Sequence, residues 1–281
     1  MDFWSSLNGI AVLLVAMAAF SLIEALIPLH RRTAWNNRHL LPNLTLTFIT
    51  FGTNMLMNIP MLAGLFWLQS MGWGLFNAYN FPPLVEIVGA ILVLDLAWYV
   101  THISLHRFTW MWPFHAVHHS DPAVDATTAI RQHPGEGLIR YVYLAAFGFA
   151  VGASPLAFAI YRIWSAAHGL FEHANIRLPQ WLDRAITFVF ASPNMHKVHH
   201  SRDQAFTDRN YGNIFSIWDR AFATFIPSRF GANIEYGLAG YDASEQQTAL
   251  GLLASPFRGG VRNPEDASVM AAQELSRHAA E

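Results

Sequence analysis

Three long apolar runs dominate the chain, near residues 7–29, 44–71 and 84–101. At about 1.5 Å of rise per helical residue, each is long enough to cross a hydrocarbon layer about 30 Å thick. Residues 138–170 are also apolar, but Gly148, Gly152 and Pro155 interrupt them. That punctuation predicts a hairpin of two short helices. From about 174 to 240 polar and apolar residues mix, and the stretches WLDRAITFVFA and IFSIWDRAFATF read as amphipathic helices lying on a membrane surface or within a cap. Beyond Tyr241 the chain becomes polar and rich in small residues, and 258–281 reads as a frayed tail. The pattern predicts an all-α integral membrane protein of about four to five transmembrane helices beneath a helical cap, as one domain over 1–257 followed by the 258–281 tail.

Composition strengthens this reading. Hydrophobic residues make up 53% of the 281 and charged residues only 13%, where soluble domains carry about 25%. The formal net charge of −2 gives no basis for a nucleic-acid partner, and the lack of cysteine excludes disulfides and thiolate ligands. Basic residues before Arg107 are confined to Arg31, Arg32 and Arg38, directly after the first apolar run. By the positive-inside rule this segment faces the cytoplasm and the N-terminus lies outside. The first run has no cationic leader or cleavage site, so it reads as a retained span. Lys197 is the single lysine among 17 basic residues, a bias of GC-rich bacterial genomes that points to a bacterial inner membrane.

The polar residues that remain are largely histidines. In DLAWYVTHISLHR, at the end of the third run, Asp95, Tyr99, His102 and His106 fall at offsets of 0, 4, 7 and 11, within an arc of roughly 60° on a helix. Asp95 is costly inside a span unless paired, and an imidazole one or two turns below is its expected partner, orienting the ring. HAVHHS at 115–120 is repeated as HKVHHS at 196–201, so His115, His118 and His119, and again His196, His199 and His200, share spacings of three and four. His173 lies between the clusters, with His168 and His133 as tentative additions. Three crossings and a returning hairpin bring all of these to one, cytoplasmic, side. Nine imidazoles exceed what one metal accepts and predict two metals; imidazole suits iron, zinc, copper and nickel. Redox iron would serve oxygen chemistry on a lipid C–H bond, zinc a membrane lipid hydrolase needing fewer protein ligands. A metal transporter or sensor would instead string its ligands across the membrane. His30, His39 and His278 read as hydrogen-bonding or interfacial residues. Glu24, inside the first run, is expected to pair with Asn54 or Asn58 of the second.

At these residues the sequence resembles the fatty acid hydroxylase and sterol desaturase superfamily. The resemblance covers about 95–238 and rests on HISLH as an HxxxH box, on HAVHH and HKVHH as HxxHH boxes, and on RNYGNIFSIWDRAFATF after the last box. ATTAIRQHPGE and IEYGL are similar to the bacterial sterol-desaturase-like branch, near the alkylglycerol monooxygenases. The resemblance implies two iron ions, with zinc possible in purified protein, held by His102, His106, His115, His118, His119, His173, His196, His199 and His200. It implies support of that basket by Asn210, Tyr211 and Asp219, oxygen as oxidant, and two electrons from a separate ferredoxin- or cytochrome-type donor. The implied substrate is a lipid from the bilayer. Hydroxylation, needing one hydrogen abstraction, is expected ahead of desaturation, which needs two.

Overall fold

The computed structural model describes residues 3–30, 39–79 and 81–258, with the side chains of 3–9, 232 and 233 left aside. Arg31, Arg32, Arg38, His278 and nearly all of the expected tail lie outside the described residues. Twelve α-helices carry the described chain: α1 Phe3–Leu26, α2 Leu40–Ser70, α3 Leu75–Ala78, α4 Pro83–Arg107, α5 Trp112–His119, α6 Pro134–Val151, α7 Pro155–His173, α8 Gln180–Ile186, α9 Pro193–His199, α10 Gln204–Thr207, α11 Ile217–Ala221 and α12 Ala249–Ala254. Short 3₁₀ turns join several of them, and among the described residues there is no β-strand.

Two stretches, Leu40–Ala78 and Pro83–Arg107, are long and apolar enough to cross a membrane. The described apolar part of the first helix, Ile10–Leu26, is shorter. The expected hairpin is α6 and α7, whose charged Glu136, Arg140, Arg162 and Glu172 dilute its apolar character. Its turn follows from local chemistry. Gly152 ends α6 in the left-handed conformation at φ 67°, and Ser154 caps α7 by accepting from Ala157 N at 3.1 Å, with Pro155 opening the helix. Gly74, at φ 90°, packs against this turn so closely that a Cβ there would lie 2.4 Å from Gly152 N. Only glycine meets both demands.

Leu65 of α2, Leu94 and Ala97 of α4, Leu144 of α6 and Ala157, Phe158 and Tyr161 of α7 are fully buried and pack as one core. Outward faces carry Ile59, Phe66, Trp67, Val142 and Ile163, each more than half exposed. The short helices α5 and α8 to α12 sit at the end of the long ones where α4 and α7 terminate.

Glu24 departs from expectation. Its Oε1 accepts from Ala126 N and Asn175 N, both at 2.8 Å, instead of pairing with Asn54 or Asn58. The carboxylate ties α1 to two loops near the histidines, satisfying backbone donors that burial would otherwise orphan.

Candidate metal centre

Each boxed histidine is delivered by a helix end. His102 and His106 occupy the last turns of α4, His115, His118 and His119 lie on α5, His173 ends α7, and His196, His199 and His200 lie on α9 and its C-cap. Pro113 and Pro193 open the two short helices, and Ser192 caps α9 by accepting from Met195 N at 3.2 Å. All nine rings are buried.

The rings divide into two donor sets. His102, His106, His115, His119 and His199 form one, and His118, His173, His196 and His200 the other; within each, one ring nitrogen per residue lies within 4.8 Å of all the others. The repeated box is split reciprocally. His115 and His119 enter the first set while His118 enters the second, whereas His196 and His200 enter the second while His199 enters the first. On a helix the residues four apart share a face and the one between them is rotated away, so each short helix serves both sets.

Tautomers follow from backbone acceptors. His102 Nδ1 donates to Tyr211 O at 2.8 Å, His199 Nδ1 to Arg209 O at 2.8 Å and His173 Nδ1 to Gly169 O at 2.7 Å. A carbonyl only accepts, so in these neutral rings Nε2 carries a bare lone pair. Yet His102 Nε2 and His199 Nε2 face each other at 3.0 Å. Neither has a proton to share, and a cation between them resolves the conflict. Neighbouring Nε2 atoms stand 3.0–3.2 Å apart in both sets, close enough for the nitrogens of each set to share one cation. Burial, reinforced by the neighbouring rings, pushes His115, His118, His119, His196, His199 and His200 well below the usual histidine range. Neutral rings are the form that binds metal. The residues present therefore fit two cations.

Carboxylates absent from the sequence reading stand behind the rings. Glu136 Oε1 lies 3.1 Å from His115 Nδ1, Asp208 Oδ1 lies 3.1 Å from His106 Nδ1, and Glu172 lies 3.8 Å from both His173 Nδ1 and His196 Nδ1. Arg140 holds Glu136 through Nε at 2.7 Å. Nothing in residue spacing singles these out, because apart from the adjacent Glu172 and His173 of α7 each contact joins separate elements.

Asp95, Tyr99, His102 and His106 do share one buried stripe, but Asp95 has other partners than an imidazole. It accepts from Ile214 N and Phe215 N, each at 3.2 Å, and from Trp218 Nε1 at 3.0 Å. Tyr99 pairs its hydroxyl with Thr224 Oγ1 at 2.7 Å. Asn210 adopts φ 55°, a left-handed conformation asparagine tolerates, and its amide bonds Met195 O, Ile226 O and Ile226 N. Asp219 accepts from Tyr211 N at 2.7 Å, Gly212 N at 2.9 Å and Thr224 Oγ1 at 2.7 Å, and burial raises its carboxyl to about 6. Its main partners are therefore the backbone amides of Tyr211 and Gly212. Asn210 and Asp219 thus fix the loop whose carbonyls, on Arg209 and Tyr211, orient His199 and His102.

His133 and His168 stand apart from both sets. His133 caps α6, accepting from Gly135 N at 2.9 Å, and His168 Nε2 donates to Ala191 O at 2.9 Å. His39, expected to be a hydrogen-bonding or interfacial residue, is a hydrogen-bonding one, buried between Asp121 and Asp125. The adjoining Arg131 donates to Val117 O, Asn43 Oδ1, Ser120 Oγ and Gln247 Oε1, bracing the end of α5 from behind.

A cavity of about 480 Å³ leads to the donor sets. His102, His118, His173 and His196 line one end; Leu13, Phe51, Met55, Leu62, Phe158 and Ile163 supply much of the apolar wall.

Over residues 87–224, which contain all nine imidazoles, the chain matches the family model described as fatty acid hydroxylase. Through this stretch the chain belongs to the fatty acid hydroxylase family. Its relatives include an alkylglycerol monooxygenase of Caenorhabditis elegans, 32% identical over 51% of this chain and 28% of the relative. An alkylglycerol monooxygenase of Danio rerio is 28% identical over 53% of this chain and 32% of its own length. The ornithine lipid hydroxylase OlsE of Rhizobium tropici is 26% identical over 63% of this chain and 52% of its own. The chain thus spans about a third to a half of the length of these family members. No solved structure gives a significant match to it.

Proposed function

We propose that this fatty acid hydroxylase family member is a membrane-embedded di-iron oxygenase that hydroxylates a lipid C–H bond. The observation that carries the reading is the continuity of the apolar cavity with two adjacent, buried imidazole sets. Iron is favoured over zinc because five donors surround the first position, where catalytic zinc typically uses three and structural zinc four. The named activities of the relatives, monooxygenase and lipid hydroxylase, support the same reaction class.

In this proposal His102, His106, His115, His119 and His199 hold one iron and His118, His173, His196 and His200 the other. The metals supply oxygen activation when bound; overall, the C–H bond, O₂, two electrons and two protons give an alcohol and water. The protein's residues do the rest. Tyr211 O, Arg209 O and Gly169 O keep three Nε2 atoms bare and aimed inward, and Glu136, Asp208 and Glu172 stand behind other rings. Apolar side chains of α1, α2 and α7 exclude water and guide a chain toward the imidazoles. α1, α2, α4 and the α6–α7 hairpin form the membrane part, the short helices a cytosolic cap, with the N-terminus outside and a bacterial inner membrane as the location. Electrons come from a separate ferredoxin- or cytochrome-type donor reaching the cap.

Purified full-length protein tests this directly. Two irons per chain, reductant-dependent oxygen uptake and an 18-oxygen label appearing in extracted lipid are expected. Zinc as the native metal with ester hydrolysis and no oxygen uptake would replace the oxygenase by a hydrolase.

A further inference from the structure

The stretch WLDRAITFVFA forms α8 and the turn after it, and its faces are the reverse of what a water-bathed cap requires. Trp181, Arg184, Ala185 and Phe188 fall at offsets of 0, 3, 4 and 7, one side of a helix. All four are exposed, Trp181 and Phe188 each at 72%. The polar Asp183 and Thr187 are buried instead, where Ser192 donates to Asp183 Oδ1 at 2.6 Å and Ser216 to Thr187 O at 2.7 Å. A helix that hides its polar residues and presents two aromatic rings is laid out for an apolar neighbour.

Both ends of the segment are tied to helices of the membrane part. Arg177 N donates to Ile27 O at 2.9 Å and Leu29 N to Asn175 O at 3.1 Å, just past the end of α1. At the other end, the Phe190 ring lies 6.3 Å from that of Trp164 and 6.2 Å from that of His168, both on α7. Trp164 precedes the end of α7 by nine residues, a rise of about 13.5 Å, beside the exposed Ile163. The turn after α8 therefore lies along the flank of α7, level with its last turns.

The exposed charges of this segment have one sign. Arg177 and Arg184 are exposed and, among the described residues, neither pairs with a carboxylate, while Asp183, the single acid between Arg177 and Phe190, is buried. Aromatic rings flanked by arginines suit a helix lying in the headgroup layer, rings at the acyl boundary and guanidinium groups on phosphates. We propose that residues 177–188 form an in-plane anchor that docks on bilayers containing anionic phospholipid, with Trp181 and Phe188 at the acyl boundary and Arg177 and Arg184 on headgroup phosphates. The inference rests on the membrane-embedded reading above and adds the lipid class that the cap recognises. Asp183 also ties the anchor to the metal centre, since its partner Ser192 caps α9, which carries His196 and His199. The anchor thereby fixes the height of the third histidine box relative to the acyl layer.

The chain has no cysteine, so a single nitroxide can be placed at will on the full-length, metal-loaded protein. Ala185→Cys puts it between Trp181 and Phe188, Ile59→Cys on the outward face of α2, and Glu245→Cys on an exposed part of the cap. Each is reconstituted in vesicles of phosphatidylcholine alone or mixed equally with phosphatidylglycerol. Collision with oxygen against a water-soluble nickel chelate then reads depth. In mixed vesicles the labels at 59 and 185 are expected to favour oxygen and the label at 245 the chelate. Should Ala185→Cys fail to fold, judged by elution, Phe188→Cys carries the measurement. A label at 185 as open to the chelate as that at 245, with 59 in lipid, overturns the anchor and leaves the face to a protein partner. A label at 59 open to the chelate overturns the membrane reading itself. The oxygen preference at 185 should weaken in phosphatidylcholine alone, and Arg177→Gln with Arg184→Gln should remove that difference between vesicles. Equal depth in both vesicles for the protein with both arginines, or a difference that survives their replacement, overturns the assignment of anionic lipid.

Discussion

His39 and Asp121 are joined at 2.7 Å, with Asp125 closing on the other ring nitrogen at 2.8 Å, all three side chains buried. Burial alone would lower the imidazole, but the two carboxylates outweigh it and raise His39 to about 10. The ring is therefore a cation held between two anions. Replacing it by leucine strands the carboxylates, at a cost of about 3–5 kcal/mol. The sign with pH is definite. A folded-state value above the unfolded 6.5 gives stability that is complete below about 6.5 and lost as pH rises through about 10. Thermal melts of wild type and His39→Leu in detergent should differ most at pH 6 and converge above pH 10; a constant gap would refute the charged pair.

Glu136 addresses His115 from outside the donor set. Glu136→Gln keeps the shape and removes the charge, and losses of this kind run to about 10–100-fold in metal affinity or activity. Iron retention against a chelator, compared with wild type, measures it. Retention equal to wild type would show that Glu136 serves only Arg140.

Asp95 acts on the loop instead of on a ring. Asp95→Asn sets an amide N–H against donors from Ile214, Phe215 and Trp218, costing about 1–3 kcal/mol. The expected result is a lower melting temperature in metal-free and metal-loaded protein alike. A variant that loses metal with no change in the metal-free melt would instead return Asp95 to a direct role at the imidazoles.

His102 and His173 belong to different donor sets. His102→Ala and His173→Ala are each expected to lower iron from two per chain toward one and to abolish lipid oxidation. Full iron in either variant, by elemental analysis, would contradict the division.

Gly169 lines the cavity, and a Cβ built on it meets nothing within 4 Å. Gly169→Leu should fill cavity space without backbone strain, and removing a helix-interior glycine favours the helix by up to about 1 kcal/mol. Undiminished melting with a higher KM for long chains is the expected outcome. An unaltered KM would place the substrate elsewhere.

The hairpin and the convergence of the imidazoles were legible because they rest on local signals: Gly152 and Pro155 break one run, and spacings of three and four put His115, His118 and His119 on neighbouring faces. The carboxylates were not, because Glu136, Glu172 and Asp208 reach rings on other elements and leave no period in the chain. Asp95 illustrates the boundary. Its helical stripe was readable, but its partners, two backbone amides and the Trp218 indole, sit about 120 residues away and leave no period in the chain. His39 was readable as a hydrogen-bonding residue, but its two carboxylates, more than 80 residues downstream, were not.

The mirrored apportioning of HAVHH and HKVHH has a final consequence. Each short helix is stitched to both prospective ions, so neither can be peeled back without stripping the pair. Filling one donor set should therefore order both short helices and favour filling of the other in the unmutated protein.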